Sequence, residues 1–142
     1  MKDLIKNVCK IFILFAIGGF IYYLIEIIYR GYSHWTMIIL GGVCFIAIGS
    51  INEFISWELL FLKQCIIGSI IVTFLEFITG CIVNICLIWN VWDYSNVPFN
   101  ILGQICVPFS LIWIIISGIA IILDDWLRYY LFNEEKPHYR FR

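Results

Sequence analysis

The chain has 142 residues, 63% of them hydrophobic and only 13% charged, with a net charge of −1. Soluble domains run at about half apolar and about a quarter charged, so these values exclude an ordinary soluble domain. The balanced charge supplies no polybasic patch, which argues against nucleic acid as a partner. The apolar residues fall in blocks long enough to cross a bilayer, and little chain is left over for a soluble domain. The reading is one membrane domain over residues 1–142, with the lipid bilayer as its first partner.

Span one covers about Val8 to Tyr29, behind Lys2, Lys6 and Lys10. At about 1.5 Å per residue it reaches roughly 33 Å, enough for a hydrocarbon core. It has no small-residue cleavage site and further spans follow, so it is expected to stay in the protein. Glu26 and Arg30 interrupt its far end, Gly31-Tyr32-Ser33-His34 turns the chain, and Trp35 marks an interface. Span two, about Thr36 to Ile51, carries Gly41, Gly42 and Gly49, small residues that let another helix approach closely. A polar connection, Asn52 to Glu58, closes the first hairpin.

From Leu59 to Val91 the chain is almost continuously apolar for 33 residues, roughly 50 Å as one helix against a core of about 30 Å. Two readings stand. Span three can break near Gly80, with residues 81–92 packed as a re-entrant or interfacial insertion, or it can run on as a long tilted helix. The loop from Trp92 to Pro98 leads to span four, Ile101 to Leu123, which Pro108 is expected to kink. After Asp124-Asp125, WLRYYLF reads as a short amphipathic interfacial helix, and residues 124–142 as a cytoplasmic tail. Lys and Arg cluster at both termini and are sparse in the two opposite loops. That bias puts both termini in the cytoplasm of an inner-membrane protein.

An internal repeat is visible. At an offset of 50, Gly18 matches Gly68 and Glu26 matches Glu76; at an offset of 62, Tyr32-Ser33 matches Tyr94-Ser95 and ILGGVC matches ILGQIC. The difference is a 12-residue insertion inside the over-long third span. The fold class read from this is an all-α membrane protein of four transmembrane helices, arranged as two hairpins that are parallel repeats. Chance similarity between apolar helices is the rival explanation.

Carboxylates inside a membrane are costly and usually face a bundle interior. Glu26 and Glu76, at matching depth, could share a proton, hold a cation or bind a cationic substrate. The bland reading of Glu26 is an i,i+4 pair with Arg30. Glu76 has no basic residue within a turn, so it calls for a partner elsewhere, with Arg30 and His34 as candidates. Arg30, His34, Asp93 and the tyrosines gather towards one face. They could bind an anionic head group, supply a His/Asp acid–base pair, or simply cap helices and tie loops together. Asn84 and Gln104 read first as interhelical hydrogen bonds and second as ligand contacts. His-x-x-x-His and HExxH spacings are absent, and no cysteine makes a CxxC pair, so neither a metal nor a cofactor is implied.

The stretches YxxxE (Tyr22 to Glu26), RGYSHWTM, Gly41-Gly42, TFLEFITG with Asn84, WDYS and NILGQIC resemble the putative ABC-transporter type IV family, the CmpB-like small integral membrane proteins. The resemblance spans about residues 17–115 and implies a transport role beside a separate ATPase. The chain has no GxxxxGK[ST] motif of its own. Four short helices rarely enclose a pathway alone, so a homo-oligomer or separate transporter subunits are expected as partners. The alternatives are a membrane enzyme acting on a lipid or isoprenoid head group, with Arg30 on phosphate and His34 and Asp93 as acid and base, and a non-catalytic membrane subunit.

Overall fold

A computed structural model describes residues 1–142. The chain forms α1 (Lys2–Arg30), α2 (Trp35–Gly49), a short α3 (Ile51–Phe54) and α4 (Phe61–Gly80). A π-helical segment, Cys81–Cys86, extends α4; two short strands, β1 (Asn100–Ile101) and β2 (Ile105–Cys106), then precede α5 (Val107–Phe132). Four helical stretches are long and apolar enough to cross a membrane: Lys2–Arg30, Trp35–Phe54, Phe61–Cys86 and Val107–Phe132. The protein is all-α, and the β1–β2 pair is its only sheet.

Local chemistry sets the helix ends. Gly31 closes α1 in the left-handed region at φ +80, and its N–H donates to the Ile27 carbonyl at 2.8 Å, an arrangement that costs a glycine little. His34 caps α2, accepting from the Thr36 N–H through Nδ1. Ser50 bonds back to the Ile46 carbonyl at 2.7 Å and lets α3 continue the second span after a small change of direction. The C-terminal tail folds back on the start of α4. The Phe61 N–H, which has no partner within its own helix, donates to the Arg140 carbonyl at 2.7 Å.

Apolar burial gives little drive between helices in lipid, so close packing and interhelical hydrogen bonds must hold them. In the first hairpin, aromatic rings lie over glycines: Phe45 over Gly18, Tyr22 against Gly41 and Phe15 over Gly42. In the second, Gly68 meets Ser117, Gly118 meets Cys65, Ser69 Oγ donates to the Ser110 carbonyl at 2.6 Å, and Thr73 Oγ1 donates to Ser110 Oγ at 3.0 Å. Helix α2 carries most of the packing between hairpins, placing Met37, Leu40, Cys44 and Ile48 in one cluster with Val72, Trp113 and Ile121. Helix α1 rests almost wholly on α2, and its outward face is left to lipid.

The structure differs from the sequence expectations at three places. Span four begins at Val107 rather than Ile101. Residues 100–106 instead form a tight β-hairpin, with Leu102 and Gly103 of its turn both at positive φ and the Gly103 N–H held by Asn100 Oδ1 at 3.1 Å. Pro108 therefore sits in the first turn of α5, where its missing N–H has no intrahelical acceptor to lose, and it does not kink the span. The WLRYYLF segment is no separate interfacial helix, because α5 runs unbroken to Phe132 with Asp124, Asp125 and Arg128 buried. Near Gly80 the regular α-helix ends, but the chain stays helical in π form to Cys86 before it leaves the axis. All six cysteines are free.

Candidate functional site: a cleft between the hairpins

Because α1 leans on α2 and α5 on α4, the backbones of α1 and α5 stay apart and the two helices meet through side chains alone. A cavity of about 200 Å³ lies between them, lined by Tyr22, Ile25, Glu26, Tyr29 and Arg30 of α1, by Tyr94, and by Phe109, Ile112, Trp113 and Ile116 of α5. A second cavity of about 150 Å³ shares Tyr22, Ile25, Trp113 and Ile116 with it and continues towards Gly18, Phe45 and Leu123. The result is a largely apolar cleft with charge at one end. Aromatic rings bridge the two sides, Tyr22 stacking on Trp113 at 5.6 Å between centroids and Tyr29 meeting Phe109 edge-on at 6.4 Å, while Tyr94 stacks on Phe109 at 4.8 Å.

The charged end is built from one turn of α1. Arg30 Nη2 donates to Glu26 Oε2 across the i,i+4 spacing, and Nη1 donates to the Val91 carbonyl at 3.1 Å. The guanidinium sits 5.0 Å from the Tyr32 ring centre. Its Nε is buried and has no hydrogen-bond partner. Glu26 is thus engaged locally, yet it still lines the cleft.

Glu76 lies deeper and is 2% exposed. Its partner is neither Arg30 nor His34 but the indole of Trp113, whose Nε1 donates to Glu76 Oε2 at 2.9 Å. Trp113 is also a cleft wall, so the carboxylate stands behind that wall rather than on it. The two glutamates share this region without a hydrogen bond between them.

The other expected residues separate. His34 Nδ1 lies 2.8 Å from Thr36 Oγ1, and its ring packs between Trp35 and Trp89. Asp93 is exposed and turns on itself, accepting from the Ser95 N–H at 2.8 Å and the Ser95 hydroxyl at 2.5 Å. Those two donors hold its carboxyl below the ordinary aspartate range. His34 and Asp93 form no hydrogen bond with each other. Asn84 and Gln104 make a connected set. Asn84 Nδ2 donates to Gln104 Oε1 at 2.8 Å, Asn84 Oδ1 accepts from the Val91 N–H at 2.7 Å, and the Gln104 carbonyl accepts from Trp92 Nε1 at 2.9 Å. This set pins the 87–106 connection over the π-helical turn, and through Val91 it reaches Arg30. No three His, Cys, Asp or Glu side chains come together closely enough to hold a metal ion.

The opposite end of the bundle holds polar groups that sequence reasoning did not single out. Asp124 is fully buried and bonded by Arg128 Nε at 2.6 Å. Arg128 Nη1 also lies 3.7 Å from Glu53 and 3.6 Å from Glu134. Asp125 Oδ2 accepts from Asn52 Nδ2 at 2.8 Å and from the Tyr139 hydroxyl at 3.0 Å. Burial and the neighbouring Asp125 push the Tyr139 hydroxyl up. Burial raises Glu134 as well, but Lys10, at 2.5 Å, and Arg128 outweigh it and hold that carboxyl below its ordinary value. The available signal was the i,i+4 spacing of Asp124 and Arg128, one turn beyond an apolar run.

Four helical stretches long and apolar enough to cross a bilayer define a multi-pass membrane protein. The sequence model of the family described as Putative ABC-transporter type IV matches residues 12–136, and the chain belongs to that family. No curated protein and no solved structure matches it.

Proposed function

We propose that this chain is a transport-type membrane component that receives an amphipathic, anionic molecule sideways from the bilayer. The molecule's apolar tail would lie along the cleft between α1 and α5, with its head group at Arg30. The supporting observation is the cleft itself: apolar along its length, with the buried, unpartnered Arg30 Nε at its charged end. A free guanidinium N–H in a low-dielectric site is a strong donor to phosphate or carboxylate. Glu26, paired with Arg30, lowers the local positive charge, which weakens the hold on an anion and so favours its release. Glu76 orients Trp113, which forms the wall.

On this reading Glu26, Arg30 and Glu76 act around the cleft, while His34, Asp93, Asn84 and Gln104 set the loops that close its end. The two hairpins are duplicated units with the site at their junction, as in transporters built from repeats. The matched Gly18 and Gly68 both pack against the following long helix of their own hairpin, which supports the duplication. The site lies in the outer half of the inner membrane with both termini cytoplasmic, as the distribution of Lys and Arg favours. Energy would come from a separate ATPase subunit, and further copies of the chain or partner subunits would complete the pathway.

The test is photo-crosslinking of purified protein in lipid nanodiscs with a phospholipid carrying a diazirine on its acyl chain. Label is expected on Ile25, Ile112 and Ile116. Arg30→Gln should weaken labelling by an anionic lipid more than by a zwitterionic one, and Ile112→Trp should block both. Labelling spread evenly over the exposed face of α1, unchanged in both variants, would refute the proposal. A non-catalytic membrane subunit is the second reading. It is favoured by the local pairing of Glu26, Glu76, Asn84 and Gln104.

A further inference from the structure

At the end of the bundle away from Arg30, a cavity of about 340 Å³ opens between the α3 turn, the end of α5 and the tail, lined by Asn52, Glu53, Trp57, Asp125, Arg128, Glu134 and Glu135. Four of its side chains are carboxylates and one is a cation, and that cation is already committed. Arg128 is bonded to Asp124 and lies close to Glu53 and Glu134, while Lys10, outside the lining, is bonded to Glu134. Both donors to Asp125 converge on Oδ2, leaving Oδ1 with no protein donor.

Asn52 supplies an independent observation. It lines the cavity, is only 9% exposed, and its Oδ1 has no hydrogen-bond partner. Rotating the amide would set its oxygen against the Asp125 carboxylate, so the oxygen is the group left wanting a donor. Buried acceptors without donors are uncommon and destabilising. What would satisfy this basin is a positively charged group with several N–H donors. The absence of any three His, Cys, Asp or Glu side chains at metal-holding geometry disfavours a directly bound metal. Trp57 adds an aromatic wall, and such walls attract organic cations; one of its faces stacks on His138 at 4.8 Å.

We infer that this basin is a binding site for an organic cation with multiple hydrogen-bond donors, an alkylammonium or a guanidinium, held between Asn52, Asp125 and Glu53. The chemistry is shared by a free polyamine-like molecule and by a Lys or Arg side chain of a partner subunit. The site is separate from the α1–α5 cleft, and nothing in its argument depends on what the cleft carries.

The experiment measures thermal unfolding and titration calorimetry of the full chain in nanodiscs at low ionic strength. The probes are 1,5-diaminopentane and N-acetylarginine amide, with sodium chloride and magnesium chloride at matched ionic strength as controls. Both cations are expected to stabilise the protein beyond the salts. Tighter binding of the diamine assigns a free cation, and tighter binding of the arginine amide assigns a partner's side chain. Glu53 and Glu135 are well exposed, at 43% and 67%, so the double variant Glu53→Gln, Glu135→Gln should fold as the parent does. It should weaken cation binding about tenfold, the equivalent of one lost charge-assisted hydrogen bond. Asp125→Asn should weaken it further. Stabilisation no greater than that of the matched salts, binding of magnesium alone, or parent-like affinity in the double variant would overturn the assignment.

Discussion

The two hairpins begin from matched residues and hold themselves together by different means. In the α1–α2 hairpin the contact is steric, with Phe45, Tyr22 and Phe15 set against glycines, and the connection is the four-residue turn from Gly31 to His34. In the α4–α5 hairpin the contact is also polar, through Ser69, Thr73 and Ser110 and through Glu76 with Trp113. Its connection carries a π-helical turn and a β-hairpin. Both devices suit lipid, where close packing and hydrogen bonding replace the hydrophobic drive between helices. The comparison shows one sequence pattern, a small residue eight positions ahead of a glutamate, serving two kinds of interface. It also explains the cleft, since each hairpin packs chiefly within itself and α1 reaches α5 through side chains alone.

The sharpest way to break the first hairpin is Gly18→Leu. Its side chain would occupy the space of the Phe45 ring, and overpacking of this kind costs about 1–3 kcal/mol or more. Denaturation in a mixed-micelle titration should show the loss, with α1 becoming accessible to protease. For the second hairpin, Glu76→Leu leaves the Trp113 N–H buried without an acceptor, at a cost of about 1–3 kcal/mol. Glu76→Gln, which keeps an acceptor oxygen, should cost less. If the two variants were equally destabilised in the same titration, the indole bond would not be what holds Glu76. Ser69→Ala with Thr73→Val tests the remaining polar contacts, with about 0.6 kcal/mol expected for each bond; Gly18→Leu should exceed their sum.

The smallest effect concerns the contact that ties α1 to the segment after α5. Lys10→Gln removes the pair with Glu134, whose partners are both partly exposed, so the loss should be at most about 1 kcal/mol. The pH dependence has a definite sign. Glu134 is held below its ordinary value in the fold, so its contribution is present above about pH 4.5 and fades as pH falls through the lowered value. Lys10→Gln should flatten that acid limb, as read from unfolding midpoints at a series of pH values. An unchanged limb would show that the pair is not responsible.

Some of the candidate site was legible from residue order. Glu26 and Arg30 one helical turn apart already specified their pairing, and the glycines of α2 already specified close contact. Asp124 and Arg128 had the same i,i+4 signature, but an aspartate pair after an apolar run also reads as the end of a span. The start of α5 is hidden in the sequence because ILGQIC is apolar at the same positions as ILGGVC, which is helical. ILGGVC lies within α2, while in ILGQIC Gly103 adopts positive φ and Asn100 caps the turn. Backbone conformation there is chosen by the loop that Asn84 and Gln104 anchor.

By itself, the sequence determined the class of the molecule. A chain this apolar, in blocks of these lengths, has to satisfy its backbone within helices once it is in lipid, which fixes the number of spans; the family is carried by the order of the motifs. Only the tertiary structure decided who meets whom: Trp113 as the partner of Glu76, the separation of His34 from Asp93, and the cleft between α1 and α5. The physical reason is that span formation depends on summed hydropathy along the chain, a local quantity. Partner choice depends on the rotation of each helix about its axis, and that is set by the packing of all the helices together.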